Sequence, residues 1–129
     1  MNARLDAIGI VVTDMAKALA FYRLLGLPIP EDAGEAPHVE AELPGGMRLL
    51  FDTEETIRSF HPNWTPGSGA GRLGLALRLP DAAGVDGAYE AVLAAGHHGE
   101  LAPFDAFWGQ RYATVHDPDG NAVDLFAPL

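Results

Sequence analysis

The chain carries the same order of hydrophobic and polar positions twice. In the first half, large and small apolar side chains alternate over residues 5–13, which predicts a β-strand. Apolar residues at helical spacing follow and end near Gly26, where a glycine can adopt the left-handed conformation that stops a helix. In the second half, a strand over 73–79 and a helix over 84–95 that ends near Gly96 repeat this order. The repetition predicts a fold built from two similar copies.

A β-hairpin is predicted at the end of each half. Residues 38–43 alternate polar and apolar, and the turn Pro44–Gly46 leads from them into 47–52. The second hairpin is predicted over 111–126, around the turn Asp117–Asn121. Proline and glycine in that turn supply the fixed and positive backbone angles that a tight reversal needs.

The remaining segments are predicted to be less regular. A short strand and a loop are expected over 28–37, and a short helix capped by a threonine over 53–60. Residues 61–71 contain three glycines and two prolines, which is typical of a linker. Residues 99–108, which are rich in aromatic side chains near their end, are predicted to form a loop.

The composition indicates a single domain over 1–129, with repeat one at about 4–60 and repeat two at about 72–129. A chain of 129 residues that is 48% hydrophobic can bury about two-thirds of its unfolded surface. The absence of cysteine excludes disulfides, thiolate zinc sites and a thiol nucleophile. A net charge of −10 disfavours binding to nucleic acid. With no membrane-span pattern and no secretion signal, we expect a cytoplasmic protein.

Side-chain size distinguishes the two faces of the first strand in each repeat. The large residues of 5–13 and 73–79 fall on one face and are predicted to pack under the helices. Small residues such as Gly9 and Ala76 fall on the opposite face and leave room there for a ligand. A close approach of a second subunit is the alternative use of this space, and both uses are compatible.

These elements resemble the vicinal oxygen chelate superfamily, which includes glyoxalase I, extradiol dioxygenases, fosfomycin-resistance enzymes and bleomycin-resistance proteins. The segment from Trp108 through the Asp117–Asn121 turn to Leu125 carries the most specific part of the resemblance. The resemblance covers nearly the whole chain. It implies an α+β fold in which two βαβββ repeats form a curved, cup-shaped mixed sheet with the helices on its outer face.

Metal-dependent members of this superfamily carry histidine or carboxylate ligands on equivalent strands of both repeats. Carried over by resemblance, these positions fall on Ala7, Leu50 (or Leu49), Gly74 and Asp124 of this chain. Only Asp124 offers a donor, whereas divalent metals need several converging donors. We therefore predict that the protein holds no metal and needs no cofactor.

Further details resemble the mitomycin-resistance and related antibiotic-binding proteins of this superfamily. They lie in Phe51–Thr53, in the linker around Trp64, and in the run from Trp108 to Pro128. This resemblance implies metal-free binding and sequestration of an aromatic or planar antibiotic, or a related hydrophobic small molecule, by a domain-swapped homodimer. A metal-independent isomerase or lyase is the first alternative, and a protein-interaction module is the second. A metal-dependent glyoxalase or dioxygenase ranks below these.

The residues expected to bind the ligand carry either an aromatic ring, which can stack on a flat molecule, or a polar group that can orient it. For Trp108 and Tyr112, a place in the core or a dimer interface is the alternative. No catalytic residue is assigned, although Glu40, Asp52 or Asp124 would be the base in the enzyme alternative. The predicted ligand-binding residues are His38, Glu40, Leu50, Asp52, Trp64, Phe104, Phe107, Trp108, Gln110, Tyr112 and Asp124.

Overall fold

The computed structural model describes residues 1–67 and 71–129. These residues form two compact units, Met1–Pro66 and Gly67–Leu129. The division between the units falls between Pro66 and Gly67, inside the segment 61–71.

The first unit is a three-stranded sheet with two helices, all within Met1–Pro66. Strand β1 and strand β3 are parallel, β2 pairs with β3 in the antiparallel sense, and the strand order is β1-β3-β2. In chain order, the elements are β1 (Ala7–Val12), α1 (Met15–Leu24), β2 (His38–Glu42), β3 (Arg48–Thr53) and α2 (Glu54–Phe60).

Helix α1 begins and ends where the sequence predicts. The Asp14 carboxylate caps the helix by accepting a hydrogen bond from the backbone N–H of Lys17 at 3.0 Å. Gly26 follows the last turn with φ of +93°, a conformation that costs little only for glycine. The buried residues of the helix are Met15, Ala18, Leu19, Phe21 and Tyr22.

The alternation of large and small residues separates the two faces of the first sheet as predicted. Ile10 and Val12 are buried, while Gly9 between them is exposed. Phe51 on β3 is fully buried, and its ring lies 5.4 Å from the ring of Tyr22 on α1. The core of this unit therefore forms on the face that carries the large side chains.

The short strand predicted within 28–37 is absent from the structure. Pro28 and Pro30 have no N–H group to donate to a neighbouring strand, and the N–H of Ile29 between them donates to Leu27 O at 2.8 Å. The segment therefore remains irregular, although Ile29 itself is buried.

The second unit contains a four-stranded sheet and one helix in its described residues. Its elements follow the order βαβββ, and the strands lie in the order β4-β7-β6-β5. They are β4 (Leu75–Arg78), α3 (Ala82–Ala94), β5 (Gly99–Ala106), β6 (Gln110–His116) and β7 (Ala122–Pro128). The predicted α+β class is thus confirmed, with the strands hydrogen-bonded as two sheets, one in each unit.

The prediction of a loop over 99–108 is wrong, because most of this segment forms β5. Its residues pair with β6, for example Phe104 with Tyr112, but the register shifts twice between Gly99 and Phe104. Strand β5 lies at the edge of the sheet, where such irregularities and a proline are tolerated. The shifts interrupt the alternation by which a strand is recognised in a sequence.

Helix α3 begins slightly earlier than predicted, at Ala82 rather than at residue 84. The Asp81 carboxylate caps it by accepting a hydrogen bond from the N–H of Gly84 at 2.7 Å. Val85 and Val92 are its buried residues. Within the described residues, no helix has the length and apolar character needed to cross a membrane.

The turn between β6 and β7 is organised by one buried carboxylate. Asp117 is buried and accepts hydrogen bonds from the backbone N–H groups of Asp119 at 3.0 Å and Asn121 at 2.9 Å. The side-chain amide of Asn121 donates a third hydrogen bond to it at 2.9 Å. This turn fixes the register of the hairpin that carries Tyr112 and Asp124.

We expect Asp117→Ala to lower the free energy of unfolding by about 1–3 kcal/mol, because it removes the acceptor of three hydrogen bonds from Asp119 and Asn121. Urea denaturation measures this change. Glu90→Ala removes an exposed carboxylate from α3 and should change the stability by less than about 0.5 kcal/mol. Equal effects of the two substitutions would contradict this account of the turn.

Candidate functional site

The candidate site lies on the face of the second sheet opposite α3. Helix α3 packs on β6 and β7, where Ala113, Val115, Val123 and Leu125 are buried. The residues that alternate with these point to the other face, which we call the helix-free face of the second sheet. That face carries Ala76, Gln110, Tyr112, Thr114, Asp124 and Phe126.

Four aromatic residues form a cluster at the β5–β6 end of this face, and we call them the aromatic cluster. The Trp108 ring lies 5.4 Å from Tyr112, 6.2 Å from Phe104 and 5.0 Å from Phe107, measured between ring centroids. The interplanar angles of these three pairs are 80–87°, so the rings meet edge to face. Trp108 is 49% exposed and Phe107 is 97% exposed, so the cluster offers apolar surface to a ligand.

A hydrogen bond fixes the position of the Trp108 indole. Its Nε1–H donates to Oε1 of Gln110 at 2.8 Å. Since the amide oxygen is used in this way, the N–H groups of Gln110 are the groups it can offer to a bound molecule. Gln110 is therefore placed to combine a structural contact with recognition of an acceptor.

The Asp124 carboxylate is held by two hydroxyl groups on the neighbouring strand β6. The Tyr112 hydroxyl donates to Oδ2, and the Thr114 hydroxyl donates to Oδ1 at 2.7 Å. Burial, together with the hydrogen bond to the negative charge of Asp124, raises the pKa of Tyr112 to about 12. The phenol therefore stays protonated near neutral pH and remains a donor to the carboxylate.

Strands β2 and β3 of the first unit present charged side chains on the face opposite their buried residues, which we call the polar face of the first sheet. His38 Nδ1 lies 2.6 Å from Asp52 Oδ1, and His38 Nε2 lies 3.5 Å from Glu40 Oε2. Arg48 pairs with Glu40 and also with Asp6, the latter at 2.5 Å. The five side chains form a chain of alternating negative and positive charge.

The two carboxylates beside His38 favour its charged form. The hydrogen bond to Asp52 raises the pKa of His38 above its ordinary value, and the charges of Asp52 and Glu40 act in the same direction. Both ring nitrogens can then donate, one to each carboxylate. At pH values below its raised pKa, His38 is an imidazolium that links β2 to β3.

The structure distributes the predicted site residues between the two units. Phe104, Phe107, Trp108, Gln110, Tyr112 and Asp124 belong to the second unit, and His38, Glu40, Leu50 and Asp52 belong to β2 and β3 of the first. Trp64 lies after α2, where the guanidinium of Arg58 is 5.2 Å from its ring centroid. This cation–π contact ties Trp64 to its own unit.

Sequence reasoning missed Thr114 and Arg48. Thr114 is the direct strand partner of Asp124 across the β6–β7 hairpin. Once that hairpin and its turn were predicted, counting back from the turn would have placed these two residues opposite each other. Arg48 follows the β2–β3 turn, and no pattern in the sequence specifies which carboxylate it meets.

A cleft of about 560 Å³ in the first unit contains none of the predicted residues. It lies where α1 and α2 begin and is lined by four carboxylate side chains together with small residues. The carboxylates are Asp14, Glu35, Glu54 and Glu55. This lining offers little apolar surface to an aromatic molecule, so the helix-free face of the second sheet remains the better candidate.

Comparison with known proteins identifies the family. Residues 4–125 match the model of the Glyoxalase/Bleomycin resistance protein/Dioxygenase superfamily, and the chain belongs to this superfamily. A search of curated protein sequences gave no match.

Solved structures share the fold at low sequence identity. A glyoxalase/bleomycin resistance protein/dioxygenase family enzyme from Burkholderia phytofirmans PsJN is 21% identical with a TM-score of 0.83, covering 98% of this chain and 100% of that one. A glyoxalase/bleomycin resistance protein/dioxygenase from Nocardioides is 23% identical with a TM-score of 0.73, covering 100% and 85%. A lactoylglutathione lyase from Agrobacterium tumefaciens is 22% identical with a TM-score of 0.67, covering 98% and 95%.

The residues that the family resemblance places at metal-binding positions do not fit a metal centre. Ala7, Leu50 and Gly74 have no side-chain donor. Asp124, the remaining position, accepts hydrogen bonds at both oxygens. In the ranges 1–67 and 71–129, no group of three or more histidine, aspartate or glutamate side chains is arranged to hold a metal ion.

The paired state of His38 predicts a pH-dependent contribution to stability. Because its folded pKa is raised, the stabilisation is fully present below the unfolded value of about 6.5 and is lost as pH rises through the folded pKa. We expect His38→Gln to destabilise the protein at pH 5.5 by up to about 1 kcal/mol, the range of exposed ion pairs, and by less at pH 9.

Urea denaturation of the wild type and the variant at both pH values measures this difference. His61→Gln is the matched control, because that exposed ring pairs with no carboxylate among the described residues. A destabilisation by His38→Gln that is the same at both pH values would contradict the account of the imidazolium.

Proposed function

We propose that this protein binds and sequesters a planar aromatic small molecule on the helix-free face of the second sheet, without a metal ion. The half-exposed Trp108, which meets Phe104 and Tyr112 edge to face, is the observation that carries the proposal. The ligand class is an aromatic antibiotic or a related hydrophobic metabolite, as in the mitomycin-resistance type of antibiotic-binding protein that the sequence resembles.

The aromatic cluster has the surface that such a ligand needs. Burial of apolar area contributes roughly 25 cal/mol per Å² before ordering costs. Contacts between aromatic rings add about 0.5–1.5 kcal/mol each. Phe104, Trp108 and Tyr112 already support one another, so their rings lose little freedom when a flat molecule stacks on them.

The proposal includes a second set of ligand contacts and a second subunit. His38, Glu40, Asp52 and Leu50 would orient the ligand's polar groups, and Trp64 would add a further ring. We propose that these residues act in a domain-swapped homodimer, located in the cytoplasm, whose two chains complete the binding site. The small side chains opposite the cores of both first strands are consistent with this use.

The proposal predicts quenching of Trp108 fluorescence by planar aromatic molecules in buffer that contains a chelator. A suitable panel contains a mitomycin-type quinone, a quinoxaline peptide antibiotic, bleomycin and a glutathione thioester. Saturable quenching should be retained in Trp64→Phe, where Trp108 is the only tryptophan. It should be weakened at least about tenfold in Tyr112→Ala, because the supporting ring is lost.

Trp108→Ala supplies the control for the quenching signal, with binding followed by calorimetry instead of fluorescence. Loss of binding in this variant, at unchanged thermal stability, is the expected result. Binding that appears only after a divalent metal is added, or only to the glutathione thioester, would contradict the proposal.

A metal-independent isomerase or lyase is the second candidate function. The 2.6 Å contact between His38 and Asp52 favours it, because a histidine oriented by a carboxylate can transfer protons. We expect Asp52→Asn and Glu40→Gln to weaken binding of a planar ligand, because both side chains are proposed to orient its polar groups. If a candidate ligand is converted to a product, and Asp52→Asn lowers the turnover number by about 100-fold or more, the second candidate replaces the first.

A further inference from the structure

We propose that the ligand of this site carries a protonated amine, and that the Asp124 carboxylate binds it. This inference rests on the proposed function and specifies the chemical class of the same ligand. In this proposal, Asp124 binds a positively charged group that is part of the ligand.

The hydrogen bonds of Asp124 leave it with unused capacity. A carboxylate offers about four lone-pair positions, and the Tyr112 and Thr114 hydroxyls occupy one at each oxygen. Both donors are neutral, so they orient the negative charge without cancelling it. Within the described residues, no arginine, lysine or histidine forms an ion pair with Asp124.

Space beside the carboxylate is kept free by a small residue. Ala76 on β4 is the direct strand partner of Asp124 on the other side from Thr114. Ala76 is exposed, and its single methyl group leaves the approach to the carboxylate open. A long side chain at this position would lie over Asp124, since directly opposed residues in a sheet have neighbouring side chains.

The neighbouring aromatic rings also favour a positively charged ligand. Tyr112, which donates to Asp124, is 5.4 Å from Trp108 and 6.2 Å from Phe104 between ring centroids. The faces of aromatic rings attract cations, and the attraction grows when the cation is desolvated. A carboxylate that is hydrogen-bonded to one ring of this cluster therefore suits a flat molecule that bears an ammonium or a protonated ring nitrogen.

Arg78 and Arg111 of this unit form no ion pair with Asp124. Arg111 lies on the opposite face of the sheet, where it pairs with Asp86 at 2.9 Å and Asp105 at 3.0 Å. Arg78 is on the helix-free face but pairs in register with Phe126, two residues beyond Asp124, and forms no ion pair with another described residue. The net charge of −10 further raises the local concentration of cations.

The test compares two probes with the same three fused rings. Aminoacridine is cationic at neutral pH, and hydroxymethylanthracene is neutral. Calorimetric titration of the whole 129-residue chain should show that aminoacridine binds at least about tenfold more tightly, as expected for a charge-assisted hydrogen bond. Asp124→Asn should bring the two affinities within about twofold, whereas Glu90→Gln, which removes an exposed charge from α3, should leave the preference unchanged.

A second pair of variants tests whether Asp124 binds the cation without changing Asp124 itself. Ala76→Lys places a resident ammonium beside Asp124 and should abolish the preference for aminoacridine, while Ala76→Ser, whose side chain is too short to cover the carboxylate, should retain it. These substitutions are at an exposed position, so they report on binding even if Asp124→Asn does not fold.

The outcomes separate this inference from the proposed function. Equal affinity of the wild type for the two probes would overturn the inference and leave the proposed function standing. A cation preference that survives both Asp124→Asn and Ala76→Lys would also overturn it, because the charge would then be bound elsewhere. Tighter binding of an anthracene carboxylate than of either probe would assign the site to an anion at Arg78 instead. Failure of all three molecules to bind would count against the proposed function itself.

Discussion

The alternation of side chains along β-strands is the constraint on which this structure depends. Each strand must bury one row of side chains under its helices and thereby presents the other row on the opposite face. In β6, Ala113 and Val115 are buried in the core, so Tyr112 and Thr114 necessarily share the helix-free face with Asp124 on β7. The candidate site is therefore a consequence of how the core is built. A one-residue change of register would destroy the core and the candidate site together.

The Asp124 carboxylate is held by neighbouring hydroxyl groups of the protein. In metal-dependent members the corresponding position contributes a ligand, but here the other three positions carry no donor and both Asp124 oxygens accept hydrogen bonds from hydroxyl groups. The carboxylate is positioned by the protein and does not require an ion to hold it in place. Together with the rings of the aromatic cluster, it defines an apolar surface with one fixed negative charge at its border.

Much of the fold could be predicted because its signals are local. Residues within a few positions of one another determine the helix cap at Asp14, the positive φ at Gly26 and the turn at Asp117. Strand β5 was mistaken for a loop because Pro103 and two shifts of register disrupt its period. The prediction of a short strand within 28–37 failed because it overlooked the missing N–H groups of Pro28 and Pro30.

The site was only partly predictable, because its contacts connect residues that are distant in the sequence. Ring type made Trp108 and Tyr112 candidates and the family resemblance made Asp124 one, whereas the contacts of Thr114 and Arg48 depend on strand register.

The most direct test of the central claim is the NMR signal of the Trp108 indole N–H, followed while a planar aromatic ligand is added in the presence of a chelator. The account predicts a saturable shift of this signal, because the ligand stacks on Trp108 beside its hydrogen bond to Gln110. An unchanged Trp108 signal under conditions where calorimetry shows binding would contradict it.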